Sequence, residues 1–246
     1  MRYLMLILIL FHFSLAFADG RDVEYQVGGD TFEGYFITQQ SSQPLVLLVH
    51  DWDGVTDYEK RRASMLNELG YAVFAIDLFG KDVRPTAVAE KRKLTQALYS
   101  DRKRMRTLLN GGLAAAKQLG ANVDNAVVAG YCFGGAAVLE FARFGADFKG
   151  FVTFHGGLAT PDGQDYSKVK SEILVLHGTA DKAVSMDDFA ELAQTLEEEG
   201  VKHEMITYSG APHAFTVFGS DRYREDADLK SWQRFTLFLD QNLRSN

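Results

Sequence analysis

The only cysteine of this 246-residue chain, Cys132, stands in Gly130-Tyr131-Cys132-Phe133-Gly134-Gly135. Strand formers from Asn125 to Gly130 run into it, and helix formers from Ala136 to Phe144 run out. Strand, sharp turn and helix, with glycine two residues to either side of a nucleophilic atom, is the layout of a nucleophile elbow. Side chains at those two places would collide, so glycine suits both. The thiol would also sit over a helix N-terminus, whose unpaired N–H groups favour thiolate and can bind an oxyanion. A lone cysteine is ordinarily a small buried apolar residue; the flanking glycines favour the chemical reading.

A thiol nucleophile needs a base within hydrogen-bond reach, and the base needs a carboxylate to fix its tautomer. In a parallel sheet such groups gather on loops at the carboxyl ends of strands. Those ends offer His50-Asp51-Trp52, Asp77, Cys132, His155, His177 to Asp181, and Ala211-Pro212-His213. Cys132, Asp181 and His213 follow the nucleophile, acid, histidine order of an α/β-hydrolase arrangement. His155 and His177 lie beside glycines and are expected to hydrogen-bond within loops, and His203 to be surface. No metal-ligand spacing such as His-Glu-x-x-His and no nucleotide-binding glycine loop is present, so no metal or other cofactor is expected.

The elements needed to position these residues are legible. Val23 to Val27 and Phe32 to Ile37 alternate as an antiparallel hairpin around Gly28-Gly29-Asp30. Pro44 to His50 is a continuous apolar run, as befits a strand buried on both faces. A helix from Tyr58 to Leu69, a strand from Ala72 to Ile76 and helices between Thr86 and Leu119 precede the elbow. Strands at Phe148 to Phe154, Glu172 to His177 and Lys202 to Tyr208 follow it. Ser185 and Asp188 have capping-box spacing at the head of a helix that Gly200 closes. Trp232, Phe235 and Leu239 form the inner stripe of the last helix. Strands alternating with helices imply a mostly parallel central sheet with helices on both faces, in one α/β domain over residues 19–246.

A formal charge of −7 argues against a nucleic-acid partner. The basic stretch Lys91-Arg92-Lys93 and Arg102-Lys103-Arg104-Met105-Arg106 is expected to form a solvated face. At the N-terminus, Arg2, the apolar run Tyr3 to Phe17 and the small residues of Ala16-Phe17-Ala18 read as a secretory signal peptide over residues 1–18, cleaved to leave Asp19. An uncleaved anchor is the alternative. The mature chain is then periplasmic or secreted, without a membrane span. In that oxidising setting a lone cysteine has no internal disulfide partner.

The chain resembles the dienelactone hydrolases, carboxymethylenebutenolidase-like proteins of the α/β-hydrolase fold. The resemblance spans nearly all of the mature chain and rests on the Cys132 elbow, Gly178-Thr179-Ala180-Asp181, Gly210-Ala211-Pro212-His213-Ala214-Phe215 and His50-Asp51-Trp52-Asp53-Gly54. It implies Cys132 as nucleophile, His213 as base and then acid, Asp181 as orienter, and an oxyanion hole from the N–H groups of Trp52 and Phe133. It also implies a carboxylate that restrains the resting thiol, here Asp51 where the family carries glutamate. Members acting on dienelactone grip its carboxylate with two arginines; this chain has Lys81 and Val217 at those places. Lys81 is left as a substrate-binding cation, and the bidentate clamp is gone. The expected activity is hydrolysis of small carboxylic esters or lactones by a monomer. A catalytically weak ligand- or partner-binding protein of the same fold is the alternative, and the absence of a resolving cysteine disfavours thiol redox chemistry.

Overall fold

The computed structural model describes residues 20–244. The proposed signal peptide, residues 1–18, lies outside them. Eight strands form one sheet: β1 (Arg21–Val27), β2 (Asp30–Ile37), β3 (Pro44–Val49), β4 (Ala72–Ile76), β5 (Asn122–Tyr131), β6 (Gly150–Phe154), β7 (Glu172–Gly178) and β8 (His203–Tyr208). Their spatial order is β1-β2-β4-β3-β5-β6-β7-β8. The β1–β2 hairpin joins β4 antiparallel at one edge, and every other pairing is parallel.

Helices cover both faces because successive strand residues point in opposite directions. Leu45, Leu47 and Val49 pack towards α2 (Val88–Ser100), α3 (Arg102–Gln118), α4 (Phe133–Phe144) and α5 (Met186–Glu198). Val46 and Leu48 pack towards α1 (Asp57–Glu68) and α6 (Glu225–Leu243). Local signals set the helix starts. Thr56 and Glu59 form a capping box on α1, as Ser185 and Asp188 do on α5. Asp101 accepts from the Arg104 N–H and separates α2 from α3.

The order β4-β3-β5 makes the sheet reverse its winding between β3 and β5, where α/β sheets open a crevice at their carboxyl ends. Register pairs Val49 with Gly130 across these strands. The residues two further on, Asp51 and Cys132, therefore leave the sheet side by side. The apolar content that keeps β3 and β5 straight and buried is what holds this junction in place.

Candidate active site

Cys132 is the N-cap of α4, with φ +52° and ψ −114°, and its side chain caps nothing. A non-glycine residue at positive φ holds strain on the order of 1–3 kcal/mol. The glycines around it allow the turn through close approach. A Cβ on Gly130 would lie 2.4 Å from the backbone of Gly134, and one on Gly134 would lie 2.3 Å from the Val49 carbonyl oxygen. The Cys132 N–H donates to the Phe154 carbonyl at 3.0 Å, tying the elbow to β6.

His213, five residues past β8, and Asp181, three past β7, reach the thiol from the neighbouring loops. His213 Nε2 lies 3.0 Å from Cys132 Sγ, and its Nδ1 lies 2.8 Å from Asp181 Oδ2. An ionised carboxylate only accepts, so Nδ1 carries the hydrogen and Nε2 faces the sulfur. Asp181 Oδ1 accepts from the N–H groups of Ala183 and Val184 at 2.8 and 3.0 Å, so one carboxylate both builds its turn and orients the imidazole.

The electrostatics follow from these contacts. Burial opposes charge on His213, but the hydrogen bonds to Asp181 and Cys132 outweigh it and raise its pKa from 6.5 to about 10. Asp181 is also opposed by burial, yet its bonds to His213 and the turn N–H groups hold it below the ordinary 3.8. The raised His213 contributes stability in full below pH 6.5 and loses it as pH climbs through about 10. The depressed Asp181 contributes above 3.8 and loses it as pH falls through its folded value. Asp181→Asn should accordingly move the His213 titration downward, as read by NMR of labelled imidazole; an unmoved titration would mean that Asp181 does not support the imidazolium.

Asp51 and Cys132 line one cavity of about 1070 Å³ with Trp52, Phe133, Tyr99 and His213. Phe133 opens α4, so its N–H has no acceptor within the helix. Asp51 is buried, and its Oδ1 accepts from the Asp53 N–H at 2.8 Å. Burial first, and then the neighbouring Asp53, raise its pKa to about 6. Among the described residues no hydrogen bond joins Asp51 to Cys132. Behind Asp51, the Glu59 carboxyl of the α1 capping box is fully buried and raised to about 8, again by burial first and then by Asp51.

The structure places three sets of residues differently from the sequence expectation. Lys81 is not on the cavity wall; its ammonium meets Glu24 of the edge strand β1 at 2.6 Å. The basic stretch is not simply a solvated face. Arg92 and Arg102 line the cavity, Lys91 binds Asp53 and lies 5.2 Å from the Trp52 ring centre, and Arg106 binds Glu140 at 2.7 Å. The spacing Arg92, Thr95, Tyr99 puts one stripe of α2 on the wall, a helical period visible in the sequence but unread there. His155 bonds not within its own loop but across to the loop after β8, through Nε2 to Thr216 Oγ1 at 2.8 Å, and its ring packs 5.3 Å from that of His213. Among the described residues His177 makes no such bond of good geometry through either buried ring nitrogen, and the ring stacks on Phe189.

Residues 32–243 match the Dienelactone hydrolase family. The chain belongs to that family. It is therefore a hydrolase with the α/β-hydrolase fold. A solved dienelactone hydrolase-like promiscuous phosphotriesterase, P91, from metagenomic libraries is 29% identical, with a TM-score of 0.84 over 92% of this chain and 98% of the other. An Escherichia coli K12 protein, provisionally named a carboxymethylenebutenolidase, is 24% identical over 226 residues, covering 87% of this chain and 83% of its own length. A human carboxymethylenebutenolidase homolog is 29% identical over 100 residues, 40% of this chain and 38% of that protein. In this family member the cavity opens at the strand ends where the sheet reverses its winding, with the sulfur, imidazole and carboxylate chain against it.

Proposed function

We propose that this dienelactone hydrolase family member is an exported hydrolase of small carboxylic esters or lactones, acting through a thioester on Cys132. The observation that carries the reading is the unbroken chain from Cys132 Sγ through His213 to Asp181 beside a cavity large enough for an acyl group. The sulfur, its proton held by His213 Nε2, attacks the substrate carbonyl. The N–H groups of Phe133 and Trp52 receive the oxyanion, each worth on the order of 3 kcal/mol in the transition state. His213 returns the proton to the departing alkoxide, then takes one from water as that water attacks the thioester, freeing the acid and restoring the thiol. Asp181 fixes the imidazole throughout.

Mass spectrometry of protein incubated with an ester and lactone library tests this reading. An acyl adduct on Cys132 supports it, and turnover without any such adduct excludes the thioester. No adduct and no turnover across the library would instead favour a binding protein that keeps the fold. The same intact mass reads the export proposal, which rests on the leader-like residues 1–18 and requires a chain beginning at Asp19.

Asp51 acts in this scheme as a restraint, since an anion in the same cavity disfavours thiolate. With its pKa near 6, Asp51 is ionised at neutral pH. Asp51→Asn should speed alkylation of resting Cys132 by iodoacetamide several-fold at pH 7.5 and remove an inflection near pH 6. Equal rates in the two proteins would end the restraint idea while leaving the thioester mechanism intact.

A further inference from the structure

His155 takes no part in the proton transfers above, yet its backbone and its side chain are both committed to the reaction centre. It follows β6 directly, is 1% exposed and has φ +40°. Among the described residues only four that are not glycine have positive φ, and Cys132, His155 and Ala214, the residue after His213, are three of them. Strain of this kind persists only where the surroundings over-determine the backbone. The Phe154 carbonyl accepts from the Cys132 N–H at 3.0 Å, and the His155 N–H donates to the Leu176 carbonyl of β7 at 2.8 Å. On the following residue, a Cβ at Gly156 would lie 2.1 Å from Thr153 Oγ1 and 2.9 Å from the Gly135 backbone. The turn at residue 155 is thus fixed against the nucleophile elbow.

The side chain reaches the other way, to the loop that carries the base. Its ring centre lies 5.3 Å from that of His213, at 66°, and 5.4 Å from that of Phe215, at 75°. Nε2 bonds Thr216 Oγ1 at 2.8 Å, and Thr216 bonds Tyr58 of α1 at 2.7 Å. One side chain therefore holds three of the four residues from 213 to 216. Nδ1 lies near the residue's own carbonyl, which only accepts, so Nδ1 carries the hydrogen and Nε2 accepts from the Thr216 hydroxyl. Burial first, and then His213, lower the His155 pKa well below 6.5, so no second cation opposes the imidazolium that forms on His213 during turnover. His155 does not line the cavity and is out of a substrate's reach.

We propose that His155 is a positioning residue for the hydrolysis, a spacer that sets the distance from Cys132 Sγ to His213 Nε2 by fastening the His213 loop to the elbow. This rests on the thioester reading of Cys132. The two groups sit on loops after β5 and β8, which are separated in the sheet by β6 and β7. The 3.0 Å between them is held across that width by a residue at the end of β6, through its backbone to one and its ring to the other. A misplacement of about 1 Å in such a contact costs on the order of 10²-fold in rate. A spacer that touches no substrate acts on kcat and leaves KM alone.

The test is steady-state kinetics on p-nitrophenyl pentanoate. His155→Ala should lower kcat by on the order of 10²-fold, with KM within about twofold of wild type. His155→Phe keeps a ring against His213 and Phe215 and loses the Thr216 bond, so it should recover at least about tenfold of that loss. Thr216→Val should match His155→Phe, and the two together should be no slower than either alone, because they cut the same tie. A His155→Ala kcat within about twofold of wild type, whatever its melting temperature, overturns the proposal and leaves a merely structural residue. A loss carried by KM, or a His155→Phe as slow as His155→Ala, overturns it as well. Should His155→Ala not fold, Thr216→Val serves the same measurement. A kcat several-fold down at unchanged KM then sustains the spacer, and an unchanged kcat rejects it. If the wild-type protein hydrolyses no ester, the thioester reading fails separately and alkylation of resting Cys132 by iodoacetamide decides. An imidazolium displaced from the sulfur supports less thiolate, so alkylation at least about fivefold slower in His155→Ala sustains the proposal. An equal or faster rate rejects it.

Discussion

Cys132→Ala is expected to lower ester turnover by on the order of 10³-fold or more, with the melting temperature essentially unchanged. Both halves of that result follow from the surroundings of the sulfur. Among the described residues Sγ makes one hydrogen bond, with His213 Nε2, and does not cap the helix it heads, so folding loses little when it goes. Alanine keeps the Cβ already accommodated at φ +52° and adds no strain. The oxyanion donors and the cavity survive, so a residual rate above that in water should remain. Turnover within a few-fold of wild type would show that the chemistry runs elsewhere. Cys132→Ser is the informative companion. A hydroxyl facing the same His213 and Asp181 should retain more activity than alanine if the histidine acts as a base, and no more if it only binds.

The second large effect is expected far from the sulfur. Arg62 of α1 is 0% exposed, and its guanidinium holds the loop that carries His213. Nη2 donates to the Thr216 carbonyl at 2.8 Å and to the buried Asp228 carboxylate, while the group packs 4.2 Å from the Phe218 ring and 5.1 Å from the Trp232 ring. Thr216 in turn bonds Tyr58 at 2.7 Å and His155 at 2.8 Å, and His155 packs against His213. Removing one member of a buried ion pair strands the other, at a cost of about 3–5 kcal/mol. Arg62→Met should therefore lower the melting temperature by roughly 6–20 °C and reduce kcat as the His213 loop loosens. The double variant Arg62→Met/Asp228→Leu should regain much of the stability, because no charge is then left buried alone. It should not regain full activity, since the tie to the Thr216 carbonyl is still lost. Urea unfolding together with ester kinetics separates the two effects. A single variant as stable as wild type would mean that the pair contributes nothing net.

Where the sequence was sufficient, the deciding contacts lie close together in the chain. The elbow was readable because the clash forbidding a side chain at residue 130 arises with residue 134, four positions on, whereas glycine at 134 is required by the distant Val49 carbonyl of β3. The capping box of α5 and the strand at Ala72–Ile76 were readable for the same reason. Strand and helix ends differ from expectation by a few residues, as at β5, which extends from Asn122 to Tyr131 where the strand was expected from Asn125 to Gly130. The order of Cys132, Asp181 and His213 along the strand ends was also sequence information, because a parallel sheet delivers successive loops to one end.

What the sequence by itself determined is thus the kind of sheet, the strained glycine turn, and a short set of side chains gathered at one end of that sheet. Which of them meet was decided only by the tertiary structure. Sequence order nominated His213, but the placement of the two loops puts its Nε2 on the sulfur and turns the His155 ring behind it towards Thr216. Packing of α2 and α3 brings the exposed Arg92 and the half-buried Arg102 to the cavity wall, and the hairpin edge draws Lys81 away to Glu24. The physical reason is reach and direction. A turn is fixed by atoms a few bonds apart, whereas the aim of a long cationic side chain depends on how its helix is rotated against a sheet assembled from distant segments.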